Sequence, residues 1–129
     1  MSNKGYNEER TVVQIFETNG YRATRIPASG GRTKRALPDV IAGNGRKYYA
    51  AEIKSSKNDY IYIKEEQIQE LLEFAHGFGA TPIVVVKFTY KPYKVFDIIE
   101  IETTDSGKYV ISRKNIDQQF NLDDYITNK

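Results

Sequence analysis

Residues 38–54 run Pro-Asp-Val-Ile-Ala-Gly-Asn-Gly-Arg-Lys-Tyr-Tyr-Ala-Ala-Glu-Ile-Lys. Pro38 opens a short strand, residues 39–42, because proline is tolerated where a strand begins and β-branched side chains fit a pleated surface. Gly43-Asn44-Gly45 is a hairpin signal, since tight hairpin turns need backbone that glycine and asparagine adopt easily. Residues 47–54 form the returning strand. Side chains alternate along it, so Glu52 and Lys54 share one face while Ala51 and Ile53 point the other way, toward a core. With the turn centred between Asn44 and Arg46, Asp39 lies opposite a residue between 50 and 52. It therefore reaches the face that carries Glu52 and Lys54. Two carboxylates and one ammonium converge beside an apolar sheet, where desolvated charges must pair with one another or bind a metal.

Outward from this hairpin the pattern alternates between helix and strand. Residues 4–19 predict a helix with Val12, Val13, Ile15 and Phe16 on its apolar stripe, stopped by Gly20. Residues 21–27 predict a strand, and residues 28–35 a glycine-containing basic loop. After the hairpin, residues 55–62 read as a polar connection. Residues 64–78 predict a second helix, with Ile68, Leu71, Leu72, Ala75 and Phe78 at helical spacing and Glu65, Glu66, Glu70 and Glu73 facing water. Phe74 falls off that stripe, which marks it as an interface residue. Residues 82–88 predict an apolar central strand covered on both faces. Residues 93–101 and 108–112 give weaker strands around a turn at 104–107. Asn121 is placed to cap a last helical piece, residues 122–126. The order α-β-β-β-α-β-β-β predicts one α/β domain over residues 1–129, a mixed central sheet flanked by helices.

Composition narrows the chemistry. In 129 residues there is no cysteine and one histidine, His76, which excludes a disulfide scaffold, a thiol nucleophile and a His-rich metal site. The apolar run Ile83-Val84-Val85-Val86 is far shorter than the ~20 residues of a membrane span. No basic-then-apolar leader opens the chain, which predicts a protein that is not secreted. The net charge of +2 hides an asymmetry. Residues 22–57 carry nine basic side chains against only Asp39 and Glu52, a net +7, and the remainder carries −5. A positive third on a mildly negative body fits a polyanion.

An isolated Glu-x-Lys is an ordinary and energetically slight ion pair. Here it ends a hairpin with an apolar reverse face, inside the most basic segment. Two carboxylates on a sheet suit a hard, oxygen-preferring divalent cation such as Mg²⁺, which neutralises charge on a phosphate and acidifies a bound water. Lys54 beside them is placed to hold the attacking water or the developing oxyanion. The substrate implied is a phosphodiester.

Pro38-Asp39, twelve intervening residues and Glu52-x-Lys54 resemble the signature of the PD-(D/E)xK nucleases, and hence a restriction-endonuclease-like core. Three further stretches resemble the archaeal-type Holliday junction resolvases. They are Lys4-Gly5-x-x-x-Glu9-Arg10, then Arg25-x-Pro27-Ala28-Ser29-Gly30 before the basic loop, and Glu66-Gln67 at the start of the second helix. The resemblance runs through residues 4–88. It implies a metal site of Glu9, Asp39 and Glu52 holding Mg²⁺, with Mn²⁺ as a substitute. It implies a catalytic Lys54, a loop Ser29 that acts in cleavage, and phosphate contacts by Arg10 and Arg25. Arg32, Lys34 and Arg35 on the same loop add backbone contacts. A homodimer acting on a four-way DNA junction follows from the same resemblance, in the cytoplasm of an archaeal cell or of the host of an archaeal or other virus. The residues alone leave two alternatives open: a nuclease of linear duplex, and a non-catalytic nucleic-acid-binding module.

Overall fold

A computed structural model describes residues 4–27 and 37–127 of the chain, with side chains from residue 7 onward. The elements run α1 (Lys4–Thr18), β1 (Arg22–Arg25), β2 (Val40–Gly43), β3 (Tyr48–Ser56), β4 (Tyr60–Ile63) and α2 (Glu65–Phe78). They continue with β5 (Thr81–Phe88), β6 (Lys94–Asp97), β7 (Glu102–Thr103), β8 (Tyr109–Ser112) and α3 (Leu122–Thr127). Short 3₁₀ turns occupy Ile98–Glu100 and Arg113–Gln118.

Among the described residues, five strands form the main sheet in the order β1-β2-β3-β5-β6. The expected hairpin is its centre: β2 and β3 are antiparallel, with Val40 opposite Ala51 and Gly43 opposite Tyr48. Gly45 turns the chain with φ +89°, a conformation that costs most side chains strain. Gly43 is required for a different reason, because the Tyr48 ring would lie 2.6 Å from any Cβ there. β5 runs parallel to β3 through eight register pairs and antiparallel to β6, so it is internal, as its apolar sequence demands.

Alternation along these strands splits the core into two layers. Val40, Ala51, Ile83 and Val85 face α1 and α3, where Val12, Phe16, Leu122 and Ile126 meet them. Ala50, Val84, Val86 and Phe88 face α2, which supplies Ile68, Leu71 and Ala75. A second sheet, β4-β8-β7, adds Ile61, Ile63 and Ile111 to this layer.

Four expectations need correction. Residues 60–63 are a strand and not part of a polar connection: Tyr60 and Tyr62 face solvent while Ile61 and Ile63 are buried against the α2-side core. Residues 93–101 do not form one strand, because Asp97 and Glu100 close a capping box that turns the chain into 3₁₀ geometry. The side-chain oxygen of Asn121 accepts no hydrogen bond, so it does not cap α3. The placements of the two phenylalanines on α2 are reversed. Phe74 packs partly buried against the core, whereas Phe78 is 56% exposed. Phe78, at the last turn of α2, lines a surface groove together with Thr24, Ile41, Gly43 and Tyr48.

Phe16 is fully buried between α1 and the sheet, touching Tyr21 and Tyr49 edge-on or tilted at 5.3 and 5.9 Å. Phe16→Ala is expected to destabilise the fold by about 3–5 kcal/mol in urea unfolding. Ile99→Ala, at a side chain 93% exposed, is expected to stay within about 0.5 kcal/mol of the parent. Equal effects would mean that the α1-side layer is not a packed core.

Candidate active site

The site is built by register. Asp39 sits one residue before β2 and is tied into the sheet by its backbone. Its N–H donates to the Ala51 carbonyl at 3.0 Å, and its carbonyl accepts from the Ile26 N–H at 2.9 Å. Extending the β2–β3 register by one residue sets Asp39 opposite Glu52. The Ile53 N–H then donates to Asp39 Oδ2 at 2.8 Å, so the carboxylate is held across the hairpin by the strand that carries its partners. Glu52 and Lys54 have Val84 and Val86 as register neighbours, which places them on the α2 side of the sheet. Lys54 Nζ lies 3.8 Å from Glu52 Oε2, with both side chains at least three-quarters buried.

Glu9 arrives from α1 and is partly buried. Its Oε1 accepts from Arg25 Nε, at the end of β1, at 3.1 Å. Four of the expected residues, Glu9, Asp39, Glu52 and Lys54, are therefore electrostatic neighbours, with Arg25 attached to them.

The three carboxylates all hold their protons more tightly than usual. Glu52 is pushed up to about 7, first by burial, then by the Asp39 charge, with Lys54 opposing and Glu9 and Glu70 adding to the rise. Asp39 is raised because burial outweighs the Ile53 N–H and the Lys54 charge. Glu9 is raised by burial and then by Asp39, against its Arg25 partner. Three carboxylates in a desolvated cluster exceed what Lys54 and Arg25 neutralise.

A divalent cation would relieve both causes, and the donor set fits one. Asp39 and Glu52 offer hard oxygen atoms from adjacent strands on one face. Mg²⁺ commonly takes one or two protein carboxylates and fills its remaining positions with water and phosphate. Among the described residues no three His, Asp or Glu side chains are grouped closely enough to hold one ion. Asp39 and Glu52 are the pair that would hold such an ion, while the Glu9 carboxylate is engaged by Arg25.

Other expected residues are placed as follows. Arg10 is exposed on α1, next to Glu9. Ser29, Arg32, Lys34 and Arg35 lie outside the described residues. Phe74 stacks on Phe78 with ring centroids 5.2 Å apart. Gln67, part of the Glu66-Gln67 stretch, and Glu70, expected only to face water, also come near the site. Gln67 and Glu70, from the first turns of α2, line a small polar pocket together with Pro38 and Glu52. The Glu66-Gln67 motif signalled the first of them and the spacing of three the second, but only the packing of α2 over β3 brings them to Glu52.

The chain has close matches among known proteins. The family model described as "Archaeal holliday junction resolvase (hjc)" matches residues 1–129. The crossover junction endodeoxyribonuclease Hjc of Sulfolobus acidocaldarius is 34% identical over 129 residues, covering 98% of this chain and 90% of that one. The Hjc of Archaeoglobus fulgidus is 34% identical over 107 residues, covering 83% and 78%. A crossover junction endodeoxyribonuclease of Sulfolobus islandicus rod-shaped virus 1 is 38% identical over 99 residues, covering 74% and 78%. The solved structure of A. fulgidus Hjc, a Holliday junction resolvase, superposes with a TM-score of 0.80 at 26% identity, covering 91% of this chain and 98% of that one.

The raised proton affinity of Glu52 has a consequence for stability. From 4.5 to about 7 the folded protein holds more protons than the unfolded chain. The contribution of neutral Glu52 is thus complete below about 4.5 and is lost as pH rises through about 7. In EDTA, the denaturation midpoint is expected to fall between about pH 5 and pH 8, and Glu52→Gln is expected to flatten that fall. A midpoint that rises over the same range would mean that Glu52 is held by attraction rather than repelled.

Proposed function

The chain belongs to the archaeal Holliday junction resolvase family, and from that premise we propose that it is a structure-selective endonuclease of four-way DNA junctions. The observation that carries the proposal is the convergence of Asp39, Glu52 and Lys54 on one half-buried patch of sheet. Asp39 and Glu52, with Glu9 once released from Arg25, would hold Mg²⁺, for which Mn²⁺ substitutes; when bound it neutralises charge at a phosphate oxygen and acidifies water.

The chain's own groups do the rest. Lys54 directs its ammonium at the attacking water or at the oxyanion that develops on phosphorus, in a site dry enough to strengthen that attraction. The water oxygen bonds to phosphorus in line and gives up a proton to solvent, the P–O3′ bond breaks, and the 3′ oxygen takes up a proton from solvent. The products are a 5′-phosphate and a 3′-hydroxyl. Ser29 acts from the loop at the scissile phosphate, and Arg10, Arg25, Arg32, Lys34 and Arg35 hold neighbouring phosphates. For Arg25 this contact competes with its bond to Glu9, so arrival of DNA would free Glu9 toward Asp39 and Glu52.

Paired cuts across a junction need two active sites, and a homodimer supplies them. Phe78 and Phe74 stack beside an apolar groove of about 400 Å³ lined by Ala23, Ile41, Ala42 and Tyr48. A second copy covering this face would bury exposed aromatic surface. Phe78 is the more accessible of the two rings and is the residue we place at the centre of that interface. No described helix is long and apolar enough to cross a membrane. Relatives from archaea and from an archaeal virus support action in the cytoplasm of an archaeal cell, infected or not.

The deciding experiment incubates the protein with a synthetic four-way junction and with linear duplex of the same sequence, in Mg²⁺ or EDTA. Cutting is expected for the junction and only with metal. Cutting of linear duplex at an equal rate would replace this reading with that of a general nuclease, and binding without cutting would replace it with a binding module.

Asp39→Asn and Glu52→Gln are each expected to abolish cutting while junction binding persists or tightens, because a negative charge facing phosphate is gone. Lys54→Ala is expected to slow single-turnover cleavage by about 10²-fold or more. Near-parental cutting by either carboxylate variant would falsify the metal-site assignment. For the dimer, Phe78→Asp is expected to shift the protein to monomer mass in sedimentation, and an unchanged mass would exclude this face.

A further inference from the structure

Where β3 ends, the chain passes directly into a groove of about 420 Å³. It is lined by Lys91, Arg113 and Lys114, together with Asp59, Tyr60 and Asp117. Asp59 follows Lys54 by five residues, so the groove begins at most ~17 Å along the chain from the catalytic lysine. That is a few nucleotides' length of one DNA strand.

Arg113 is held rigidly at the groove. Its backbone N–H donates to the Asp59 carbonyl at 2.8 Å, and Nη2 donates to the Thr89 carbonyl at 2.7 Å. The guanidinium carbon lies 5.8 Å from the centroid of the Phe88 ring. Nη1 is shielded from solvent and has no acceptor, a cost that native structures seldom leave unanswered. The planar fork of arginine matches a phosphate group.

Lys91 Nζ contacts both carboxylate oxygens of Asp117, at 3.1 and 3.2 Å. The Asp117 side chain is 72% exposed, so the pair is weak and exchangeable. Exposed rings flank these cations. Tyr60 and Tyr62 project from β4 with centroids 6.1 Å apart, and Tyr90, next to Lys91, is 93% exposed. Cations interleaved with accessible aromatic rings suit a nucleic-acid strand, which offers phosphates and π-faces together.

We propose that this groove is a second phosphate-binding subsite, which holds the backbone of the DNA arm leaving the cleavage site. The inference rests on the junction-nuclease reading above. Lys91 and Lys114 contact the phosphate, Arg113 adds fixed positive charge at the groove wall, where Thr89 holds its guanidinium, and Asp117 is the internal competitor that DNA displaces from Lys91.

The test measures binding of the synthetic junction to the 129-residue chain in EDTA, across a salt series, for the parent, Lys91→Ala, Lys114→Ala and Asp117→Asn. Loss of either lysine is expected to weaken binding about tenfold and to lower the log–log salt slope by about one per protomer. Asp117→Asn is expected to tighten binding several-fold, because Lys91 is released and a negative charge leaves the groove. A purely structural ion pair would make removal of Lys91 and of Asp117 act alike. Unchanged affinity and slope in all three variants, alongside a parent that binds and cuts the junction, would overturn the subsite alone. A parent that neither binds nor cuts the junction would overturn the nuclease reading and the subsite together.

Discussion

The hydrogen bond from the Ile53 N–H to Asp39 Oδ2 is the constraint on which the rest of the site depends. It replaces water at one carboxylate oxygen and sets the height of that carboxylate against β3. A slip of one residue in the β2–β3 register would turn Glu52 and Lys54 into the α1-side core and leave Asp39 without its donor. The burial of Ala50, Ala51, Val84 and Val85 on alternate faces makes such a slip costly. The apolar core and the charged site are therefore specified by the same alternation of side chains, and neither is secure without the other.

The site departs from ordinary protein electrostatics because charge is concentrated where solvent is scarce. Burial is the largest cause of the raised proton affinity at Glu9, Asp39 and Glu52, ahead of any pairwise repulsion. An electroneutral cluster would have been more stable and of less use. The surplus carboxylate charge is what a divalent cation, if bound as proposed, would balance. Arg25 and Lys54 moderate the surplus in the meantime, one on Glu9 and the other on Glu52.

Most of this was legible from sequence because it is local. Gly43-Asn44-Gly45 and the alternation after it specify a hairpin, and a hairpin alone aligns Asp39 with Glu52. Helical periodicity placed α1 and α2 within a residue or so of their ends. What was missed depends on tertiary packing. Tyr60-Ile61-Tyr62-Ile63 is a short alternating run with a clear strand pattern, but its partner β8 lies almost fifty residues away and its turns are polar. Phe78 continues the apolar stripe of α2 by angle, but at the end of the helix it lies in a surface groove rather than in the core. Glu70 enters the site because α2 crosses β3, a fact no spacing within the helix contains.

The parallel ladder between β3 and β5 also governs how the protein reaches its folded state. Its eight pairs join strands separated by β4 and the whole of α2, so the ladder forms only after a long loop has been closed. The β2–β3 hairpin closes over a few residues and needs no such delay. Early in folding, Asp39 and Glu52 can thus be aligned while still hydrated, with their repulsion screened by water. Dehydration of the pair comes with the docking of β5 and α2, late on the route. The electrostatic cost of the carboxylate cluster then falls on the non-local step of folding.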